Sequence, residues 1–597
     1  MSTQKKLIDA IDERIGLRKL VDEALNERIP GGASWAYVFG SVTLILFMVQ
    51  VGTGLVLAMY YSPSATDAWA SVAYFEREIV MGAFIRGLHH HAAGGMVVMT
   101  VLHLLQVVWF GAYKRPREGN WLSGLGLFGL VLAFALTGYL LPWDQTGYWA
   151  TKVATSIAGT VPLIGEQLQK IAQGGNDYGN LTLTRFYALH VILLPLTTFG
   201  LAGAHLYLFR RHGVTPAATK SRQDLRATVD YFWPKQVAYD AAAAVLVLIV
   251  LFLLALQLGA PLEAPADPAS NFIARPEWYF LFLFQLLKYF EGPLQVVGTI
   301  ILPGLVTTFL VVLPFLDRNA ERQLRPRWPW VGAIAFGLSM IVLLTGLAIR
   351  HDAHDPTIAK QRGRADREAA RAWTLAAKGV PPAGASYMMA HDPLTRGERV
   401  FWRECATCHA LEGQVPKEPK GPELTGYGSR AWIRQMLRDP DSPRLYGRTK
   451  IEGMESFAKL DASALMRVVN LVYDRRKPDA VPIAEHPDAA LIEELECDHC
   501  HEFGEWESYE GPSLQGYMSQ TWLRRLIDNP GDEALFGQDN EMPVFGRRIS
   551  LEDQAAVVEF LLGLEHRSDP DRWPNVDDPG PVPSPRTPRI KSEPSHP

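Results

Sequence analysis

The sequence predicts an all-α protein in which a bundle of seven membrane-spanning helices is followed by two small helical domains. Three observations support this fold class: seven long apolar runs, four histidines at nearly equal spacing within two of those runs, and one motif that occurs twice in a hydrophilic tail. Residues 36–350 are mainly apolar, whereas residues 351–597 are charged and rich in proline. The two parts are therefore expected to occupy different environments.

The apolar runs fill most of the first 350 residues. A helix that crosses a bilayer needs about 20 apolar residues. The runs that reach this length lie near residues 36–61, 87–110, 121–142, 186–209, 238–260, 296–316 and 330–349. Buried helices of a soluble protein are the alternative, but a run such as Ala241–Leu258 contains no charged residue. The runs therefore favour seven transmembrane helices.

The loops between the runs differ in their content of Lys and Arg. The loops after the second, fourth and sixth runs contain three, six and four basic residues, whereas residues 62–82 contain only Arg77 and residues 261–276 only Arg275. Cytoplasmic loops are enriched in basic residues, so the amino terminus is expected in the cytoplasm of a bacterium and the tail outside its inner membrane. No cleavable signal peptide is visible in the amphipathic amino-terminal segment.

All four cysteines lie in two copies of the pattern C-x-x-C-H, Cys405-Ala-Thr-Cys408-His409 and Cys497-Asp-His-Cys500-His501. This pattern is typical of covalent c-type haem, which bonds to the two thiols and takes the histidine as an axial ligand. A redox C-x-x-C or a zinc site is the alternative. Because both copies end in His and together use every Cys, we predict two c-type haems, attached outside the cytoplasm.

An internal repeat surrounds these two motifs. Gly421–Trp432 matches Gly511–Trp522 at an offset of 90 residues. Residues 395–480 and 488–566 each resemble a small class I cytochrome c domain. The repeat predicts two such domains in succession.

The repeat also selects the second axial ligands, which are often methionine sulfurs in such haems. The repeat contains one shared M-x-x-F segment, with Met454 45 residues after His409 and Met542 41 residues after His501. Other methionines of the tail, such as Met518, have no counterpart in the other copy. We therefore predict Met454 and Met542 as ligands; the alternative is that both are ordinary core or surface residues.

Four histidines lie inside the second and fourth apolar runs. His89 and His103 are 14 residues apart, and His190 and His205 are 15 apart. Both intervals are close to four helical turns, so each pair lies on one helix face with about 21 Å between its members. Both helices run from outside to inside. His89 and His190 should therefore hold one b-type haem near the outer side, and His103 and His205 a second near the inner side.

Glycines repeat at the same interval in the neighbouring runs. Gly40 and Gly54 in the first run, and Gly124 and Gly138 in the third, are each 14 residues apart. A helix surface without side chains lets a flat macrocycle lie against it, so these glycines are expected at the height of the haems. General packing of small residues between membrane helices is the alternative.

Four short motifs within residues 30–350 resemble the cytochrome b subunit of quinol–cytochrome c reductases and of the related plastoquinol–plastocyanin reductases. The motifs are Arg86-Gly-Leu-His89, Gly138-Tyr-Leu-Leu-Pro-Trp143, Val161-Pro-Leu-Ile-Gly165 and Pro276-Glu-Trp-Tyr279. The 15-residue histidine interval and the seven runs are more similar to the photosynthetic branch. That branch carries an extra haem on a Cys where this chain has Val38, so the extra haem is expected to be absent.

The resemblance implies two quinone sites. On the outer side, Glu277 would accept a proton from quinol, and Tyr279 and Tyr139 would line the pocket; a helix-capping carboxylate is the alternative for Glu277. On the inner side, Asp240 would serve quinone reduction. The resemblance also implies that Arg86 contacts a haem. The basic residues considered for quinone or proton contacts, or alternatively as simple topological charges, are Arg210 and Lys235.

The resemblance further implies the partners of the chain. No Cys remains to hold an iron–sulfur cluster, so a separate Rieske protein is expected. The tail would pass electrons to a soluble cytochrome c or a terminal oxidase, coupled to proton translocation and a quinone pool, in a homodimer within a larger complex. The net charge of −5 gives no indication of nucleic-acid binding.

Two other functions are compatible with parts of the sequence. A membrane b/c-haem relay could couple the quinone pool to another reductase without dividing the two electrons of quinol, and a transporter could use the histidines for protons. The Pro276–Tyr279 motif argues against the relay, and a transporter would contain no b-type haem. The predicted divisions are 1–32 (amino-terminal segment), 33–214 (four-helix haem domain), 215–352 (three-helix domain), 353–394 (linker), 395–480 and 488–566 (cytochrome c domains) and 567–597 (disordered tail).

Overall fold

The computed structural model describes residues 25–217 and 229–567, apart from 271, 452–453, 478–479, 505, 507–509 and 538–539, together with residues 9, 12–14 and 16. The predicted disordered tail and most of the amino-terminal segment lie outside the described residues. The chain divides into two compact units, one ending at Ser386 and the other beginning at Tyr387.

The first unit contains the seven long apolar helices that the sequence predicts. They are α1 (Trp35–Ala58), α3 (Gly82–Phe110), α4 (Glu118–Tyr139), α7 (Asn180–His212), α8 (Phe232–Gln257), α10 (Val297–Leu316) and α11 (Leu324–His354). Large apolar side chains on their outer faces are exposed, among them Val245, Leu305 and Phe336. Such a surface suits lipid, so the seven helices confirm the prediction of a multi-pass membrane protein.

Shorter elements connect these helices. The helices are α2 (Ala68–Glu78), α5 (Gln145–Gly159), α6 (Gly165–Gln173), α9 (Trp278–Leu287) and α12 (Pro356–Ala376). Two three-residue strands, β1 (Arg28–Pro30) and β2 (Val229–Tyr231), pair antiparallel with Arg28 opposite Tyr231. An all-α prediction did not include this small sheet, since neither strand has a recognisable alternation of apolar residues.

The core of the bundle is built by five of the helices. Helix α3 packs against α1 and α8, and α4 packs against α7. Buried apolar side chains such as Val42, Leu46, Val97 and Leu251 fill the first of these interfaces. This packing brings the two histidine-bearing helices, α3 and α7, into the same bundle with the two glycine-bearing helices, α1 and α4.

The segment predicted as a linker, residues 353–394, is largely helical. Helix α11 continues to His354, and α12 follows it with Ile358 and Ala372 buried. Trp373 of α12 contacts Trp69 of α2, with ring centres 5.9 Å apart. Alanine and the long charged residues favour helix over an open linker, and the aromatic contact holds α12 against α2 within the first unit.

The second unit contains seven helices among its described residues. They are α13 (Ala385–His391, which begins just before the boundary), α14 (Pro393–Val400), α15 (Arg430–Arg438), α16 (Ala462–Asp474), α17 (Ala489–Glu494), α18 (Gln520–Asp528) and α19 (Leu551–Gly563). Trp432 and Trp522, which are equivalent in the repeat, are both buried and donate their ring N–H to the carbonyls of Glu423 (3.0 Å) and Ser513 (2.9 Å). The repeat in sequence is therefore also a repeat in structure.

Candidate functional site

The four intramembrane histidines form the two pairs that their spacing predicts. The ring centres of His89 and His190 are 6.3 Å apart, and those of His103 and His205 are 6.4 Å apart. A nitrogen–metal bond of about 2 Å on each side, with about 1 Å from each nitrogen to its ring centre, spans roughly 6 Å. The spacing of both pairs therefore fits one iron between two imidazoles.

A π-helical turn, Leu189–Leu193, contains His190. Such a turn takes up one extra residue within an α-helix and is frequent at functional sites. The 15-residue interval between His190 and His205 therefore behaves like the 14-residue interval on α3. Regular helix geometry alone would have rotated His190 away from its partner by part of a turn.

Each histidine ring is fixed by a hydrogen bond at Nδ1, which leaves Nε2 for a metal. This arrangement sets the tautomer and orientation of a ligating imidazole. The Nδ1 partners are Thr53 for His89 (2.8 Å), Gln106 for His103 (3.0 Å), Thr137 for His190 (3.0 Å) and Ser123 for His205 (3.0 Å). The sequence did not single out these partners, although three of them immediately precede a predicted glycine.

Each of the four predicted glycines lies against one histidine ring. The closest ring atom to a Cβ added at the glycine would be Cε1 in every case. The distances would be 3.1 Å for Gly40 and His103, 3.2 Å for Gly54 and His89, 3.1 Å for Gly124 and His205, and 2.6 Å for Gly138 and His190. Helix α1 therefore borders both histidines of α3, and α4 borders both histidines of α7. In the structure the glycines make room for the imidazoles, and their contact with a macrocycle stays a prediction.

One large cavity of about 890 Å³ opens beside the outer histidine pair. Its lining contains His89 and His190 together with Tyr139, Glu277 and Tyr279. The cavity wall is mainly apolar, with few polar groups, as is usual for a site that binds an organic ligand. The residues predicted for the outer quinol site and for the outer haem are thus brought into one space.

Glu277 is the N-cap residue of α9, where its side chain makes no capping hydrogen bond with the described residues. Burial and the nearby Asp144 raise the pKa of the Glu277 carboxyl. Burial and Glu277 also raise the pKa of Tyr279. A partly buried carboxyl with a raised pKa and no capping hydrogen bond to the described residues suits proton transfer better than helix capping.

Two further carboxyls line this cavity, and the sequence reasoning missed both. Asp144 accepts hydrogen bonds from the backbone N–H of Gly147 (2.8 Å) and of Glu263 (3.3 Å). Glu263 accepts one from the N–H of Thr146 (3.1 Å). Burial, followed by the charge of Asp144, raises the pKa of Glu263 to about 7. The one feature of the sequence that pointed to either carboxyl is that Asp144 directly follows the Gly138–Trp143 motif.

Arg86 lies near the amino-terminal end of α3 and also lines the cavity. It forms an ion pair with Glu76 and donates hydrogen bonds to the carbonyls of Ala260 (3.1 Å) and Pro261 (2.7 Å). These contacts tie α3 to α2 and to the segment that follows α8. Arg86 therefore has a structural role, and its contact with a haem stays a prediction.

On α8, Asp240 is buried and accepts hydrogen bonds from Ser41 (2.9 Å) and Gln236 (2.8 Å). Lys235 is paired with Asp230 (2.6 Å), and Arg210 with Glu27 (3.4 Å). These two pairs join the ends of α7 and α8 to the residues around β1 and β2. The two cations that were considered with Asp240 are thus paired with other carboxylates.

The two C-x-x-C-H motifs have equivalent geometry. Nδ1 of His409 bonds to the carbonyl of Pro422 and Nδ1 of His501 to that of Pro512, both at 2.8 Å. As in the bundle, this leaves Nε2 available to a metal. A Cβ on the glycine before each proline, Gly421 or Gly511, would collide with the histidine ring. This contact explains the Gly-Pro that both copies of the repeat share.

The predicted methionine ligands, Met454 and Met542, are both half-buried against the core of the second unit. Met518 is buried and fills the space beside Gly428, its counterpart in the repeat. The position of Met518 thus has a packing explanation. The histidine and thiol donors, with a methionine in each copy, fit the attachment of two c-type haems.

Comparison with known proteins shows what the first unit is similar to. The family model described as cytochrome b/b6/petB matches residues 25–213, and the model described as cytochrome b(C-terminal)/b6/petD matches residues 265–362. The menaquinol:cytochrome c reductase cytochrome b subunit of Bacillus subtilis (strain 168) is 41% identical over 218 residues, which are 35% of this chain and 97% of that protein.

A solved structure described as a hyperthermophilic respiratory Complex III is also similar. It is 28% identical, with a TM-score of 0.51, over 62% of this chain and 97% of that chain. The two family models, the Bacillus relative and the two histidine pairs all indicate the same family. The chain therefore belongs to the cytochrome b family.

Proposed function

We propose that this chain is the membrane subunit of a quinol:cytochrome c oxidoreductase that carries c-type haems on its own tail. The observation that carries the proposal is the single cavity that contains the outer histidine pair together with Glu277, Tyr139 and Tyr279. A quinol in this cavity would lie beside both an electron acceptor and proton acceptors. The name of the Bacillus relative makes menaquinol one candidate substrate.

The haems of the proposal are held by the residues described above. His89 with His190 and His103 with His205 would each hold a b haem, and each C-x-x-C-H motif would hold a c haem. When bound, these groups would supply one-electron transfer, by which one electron of quinol would cross the membrane towards quinone and the other would leave through the tail. Asp240, beside Ser41 and Gln236, would donate protons to quinone on the inner side.

The outer cavity would receive the two protons that quinol releases. Glu277 lies at its wall, where burial and the nearby Asp144 raise the pKa of its carboxyl and so strengthen its affinity for a proton. Glu263, whose pKa is raised to about 7, is a second acceptor in the same lining. Release of these protons outside and uptake inside would generate a gradient.

The partners of the proposal follow from the cysteine content. All four cysteines belong to the two C-x-x-C-H motifs, so an iron–sulfur cluster must be supplied by a separate Rieske protein. The tail would receive electrons from that protein and pass them to a soluble cytochrome c or a terminal oxidase. A bacterial inner-membrane location, an outside tail and a homodimeric complex complete the proposal. Co-purification of a Rieske protein with the tagged chain tests the partner directly.

The substitution Glu277→Gln tests the quinol site. Gln keeps the shape of the side chain but cannot accept a proton, so we expect a loss of quinol-oxidation rate of about 10²–10⁴-fold with both b haems still reducible by dithionite. The control is Glu166→Gln, since Glu166 is largely exposed and paired with Lys170 on the surface. Unchanged turnover in Glu277→Gln, measured with the same quinol, would remove Glu277 from this role.

A further inference from the structure

The second unit is not built as two separate halves in sequence order. Its first half is defined as residues 387–477 and its second half as residues 480–567. Helix α14, which precedes the first C-x-x-C-H motif, packs against α19, the last helix of the second half. Arg396 pairs with Asp553 (2.6 Å), and the ring centres of Phe401 and Phe560 are 5.6 Å apart. Helix α14, which leads into Cys405, therefore packs against the second half.

Helices α14 and α19 approach each other closely at Gly397. A Cβ on Gly397 would collide with the backbone carbonyl of Ala556, and it would also crowd Phe560. Only glycine lets the two helices approach this closely. Gly397 is buried, and the partly apolar face of α14 beside it is covered by the second half. This closeness is typical of the interior of one domain, more than of a contact between two.

The reciprocal contact occurs at the second motif. A small cavity adjoins Cys497, and most of its wall comes from the first half. The first-half residues that line it are Leu437, Phe457, Leu460, Leu465 and Val468, and Leu495 completes the wall. An ion pair between Arg467 of α16 and Asp488 (2.6 Å) holds the same two segments together. The surroundings of Cys497 are therefore supplied by the half that does not contain it.

Contacts between equivalent residues show that the exchange is symmetric. Two copies related by a twofold axis bring a residue near the axis against its own counterpart. Three positions of the repeat, each 90 residues from its counterpart, meet in this way: the rings of Tyr446 and Phe536 (centres 6.2 Å apart), the neighbouring hydroxyls of Tyr427 and Tyr517, and Gly428 against Met518.

The M-x-x-F segments are each anchored to their own half. The N–H of Phe457 donates to the carbonyl of Leu437 (2.8 Å), and the N–H of Phe545 donates to that of Ile527 (3.1 Å). Phe457 and Leu437 both line the cavity beside Cys497. Met454 lies three residues before Phe457, so it belongs to the segment that borders the second motif, and Met542 occupies the equivalent position in the other half.

We infer that the two c-haem sites exchange their methionine ligands between the halves, so that His501 is paired with Met454 and His409 with Met542. This inference rests on the proposed function, in which both motifs carry haem. It reverses the pairing that sequence order suggests, in which each methionine serves the histidine before it. The ion pair between Lys450 and Glu541 (2.7 Å) joins the two segments that cross.

The exchange means that neither half contains a complete site. Residues 395–480 and 488–566, predicted as successive domains, would then be two interlocked parts of one module. Both haem sites would form together, because each needs the other half for its wall and its sixth ligand. The module would hold the two haems as one rigid relay.

Single-haem versions of the full chain test the pairing. Cys405→Ala with Cys408→Ala leaves only the second site able to attach haem covalently, and Cys497→Ala with Cys500→Ala leaves only the first. Met454→Leu or Met542→Leu is then added to each. The readouts are the far-red charge-transfer band of a methionine–iron bond in the oxidised protein and the reduction potential of the remaining c haem, which a methionine ligand raises.

In the chain with haem only at the second site, we expect Met454→Leu to abolish the band and lower the potential, and Met542→Leu to leave both unchanged. The chain with haem only at the first site should give the opposite result. Met436→Leu is the control, since Met436 packs on the same core and Leu is its counterpart in the repeat. Loss of the band through the methionine of the same half, or a band that survives both changes, overturns the inference.

A second version keeps both haems if the double cysteine changes prevent assembly. Cys405→Ala alone leaves one thioether at the first site, and the retained vinyl group shifts the absorption of that haem and so marks it. Met542→Leu should then lower the potential of the marked haem, and Met454→Leu that of the other. The reverse assignment overturns the inference, whereas absence of any covalent haem from the unmodified chain would instead reject the proposed function.

Discussion

Adding one methyl group at Gly138 should weaken the outer b-haem site. A Cβ at this position would lie 2.6 Å from Cε1 and 3.2 Å from Nε2 of His190, too close for the ring to keep its place. Displacing the ring also disturbs its hydrogen bond to Thr137. Overpacking of this kind costs about 1–3 kcal/mol, which corresponds to roughly 5- to 150-fold weaker retention of haem at about 1.4 kcal/mol per tenfold.

Two variants make the Gly138→Ala experiment quantitative. Gly54→Ala should have a smaller effect, because its Cβ would lie 3.2 Å from the ring of His89. Gly129→Ala is the matched control on the same helix, since no described atom lies within 4 Å of its Cβ. The assay is the b-haem content per chain, with a redox titration of each b haem. Full outer-haem content with an unchanged potential in Gly138→Ala would refute the reasoning.

Three further predictions follow from single contacts. Thr137→Val removes the hydroxyl that orients His190, and we expect a shifted potential of the outer b haem with little loss of the inner one, measured by redox titration. Asp317→Asn removes the partner of the buried Lys114 (2.7 Å) and should lower the stability of the purified chain by about 3–5 kcal/mol; an unchanged unfolding temperature would contradict this. Glu263 can accept a proton only when ionised, so quinol oxidation should rise with pH through about 7, and Glu263→Gln should flatten that part of the pH profile.

The fold of the membrane part was largely predictable, because its signals are local. Apolar length determines the seven helices, and helical periodicity places His89 and His103 on one face. The interval of His190 and His205 was interpreted with the same periodicity, but the structure accommodates it with the π turn at Leu189–Leu193. A single inserted residue is not distinguishable by spacing alone from the natural variation in helix geometry.

Features that depend on contacts between distant segments were not predictable in the same way. Lys114 and Arg327 are among the basic residues counted in the loops after the second and sixth runs, yet both side chains are buried against Asp317. Asp144 and Glu263 are far apart in sequence, and only the packing of their loops brings them to one cavity. Sequence identifies such residues as charged, but not which other charge each one meets.

The tail illustrates the same limit at the level of domains. The repeat correctly indicates that two segments share a local structure, as the equivalent hydrogen bonds of Trp432 and Trp522 show. It does not specify whether each C-x-x-C-H motif is completed by its own segment or by the other one. Helix α14 has an apolar face that either α16 or α19 could cover, and only the tertiary contacts distinguish them.

The haem content of the purified full chain tests the central claim most directly. A pyridine haemochrome assay, referred to protein concentration, measures b-type and c-type haem in the same sample. The proposed function predicts two b-type haems that can be extracted and two c-type haems that remain covalently bound per chain. A chain with no b-type haem, or with a ratio of b to c far from one, would contradict it.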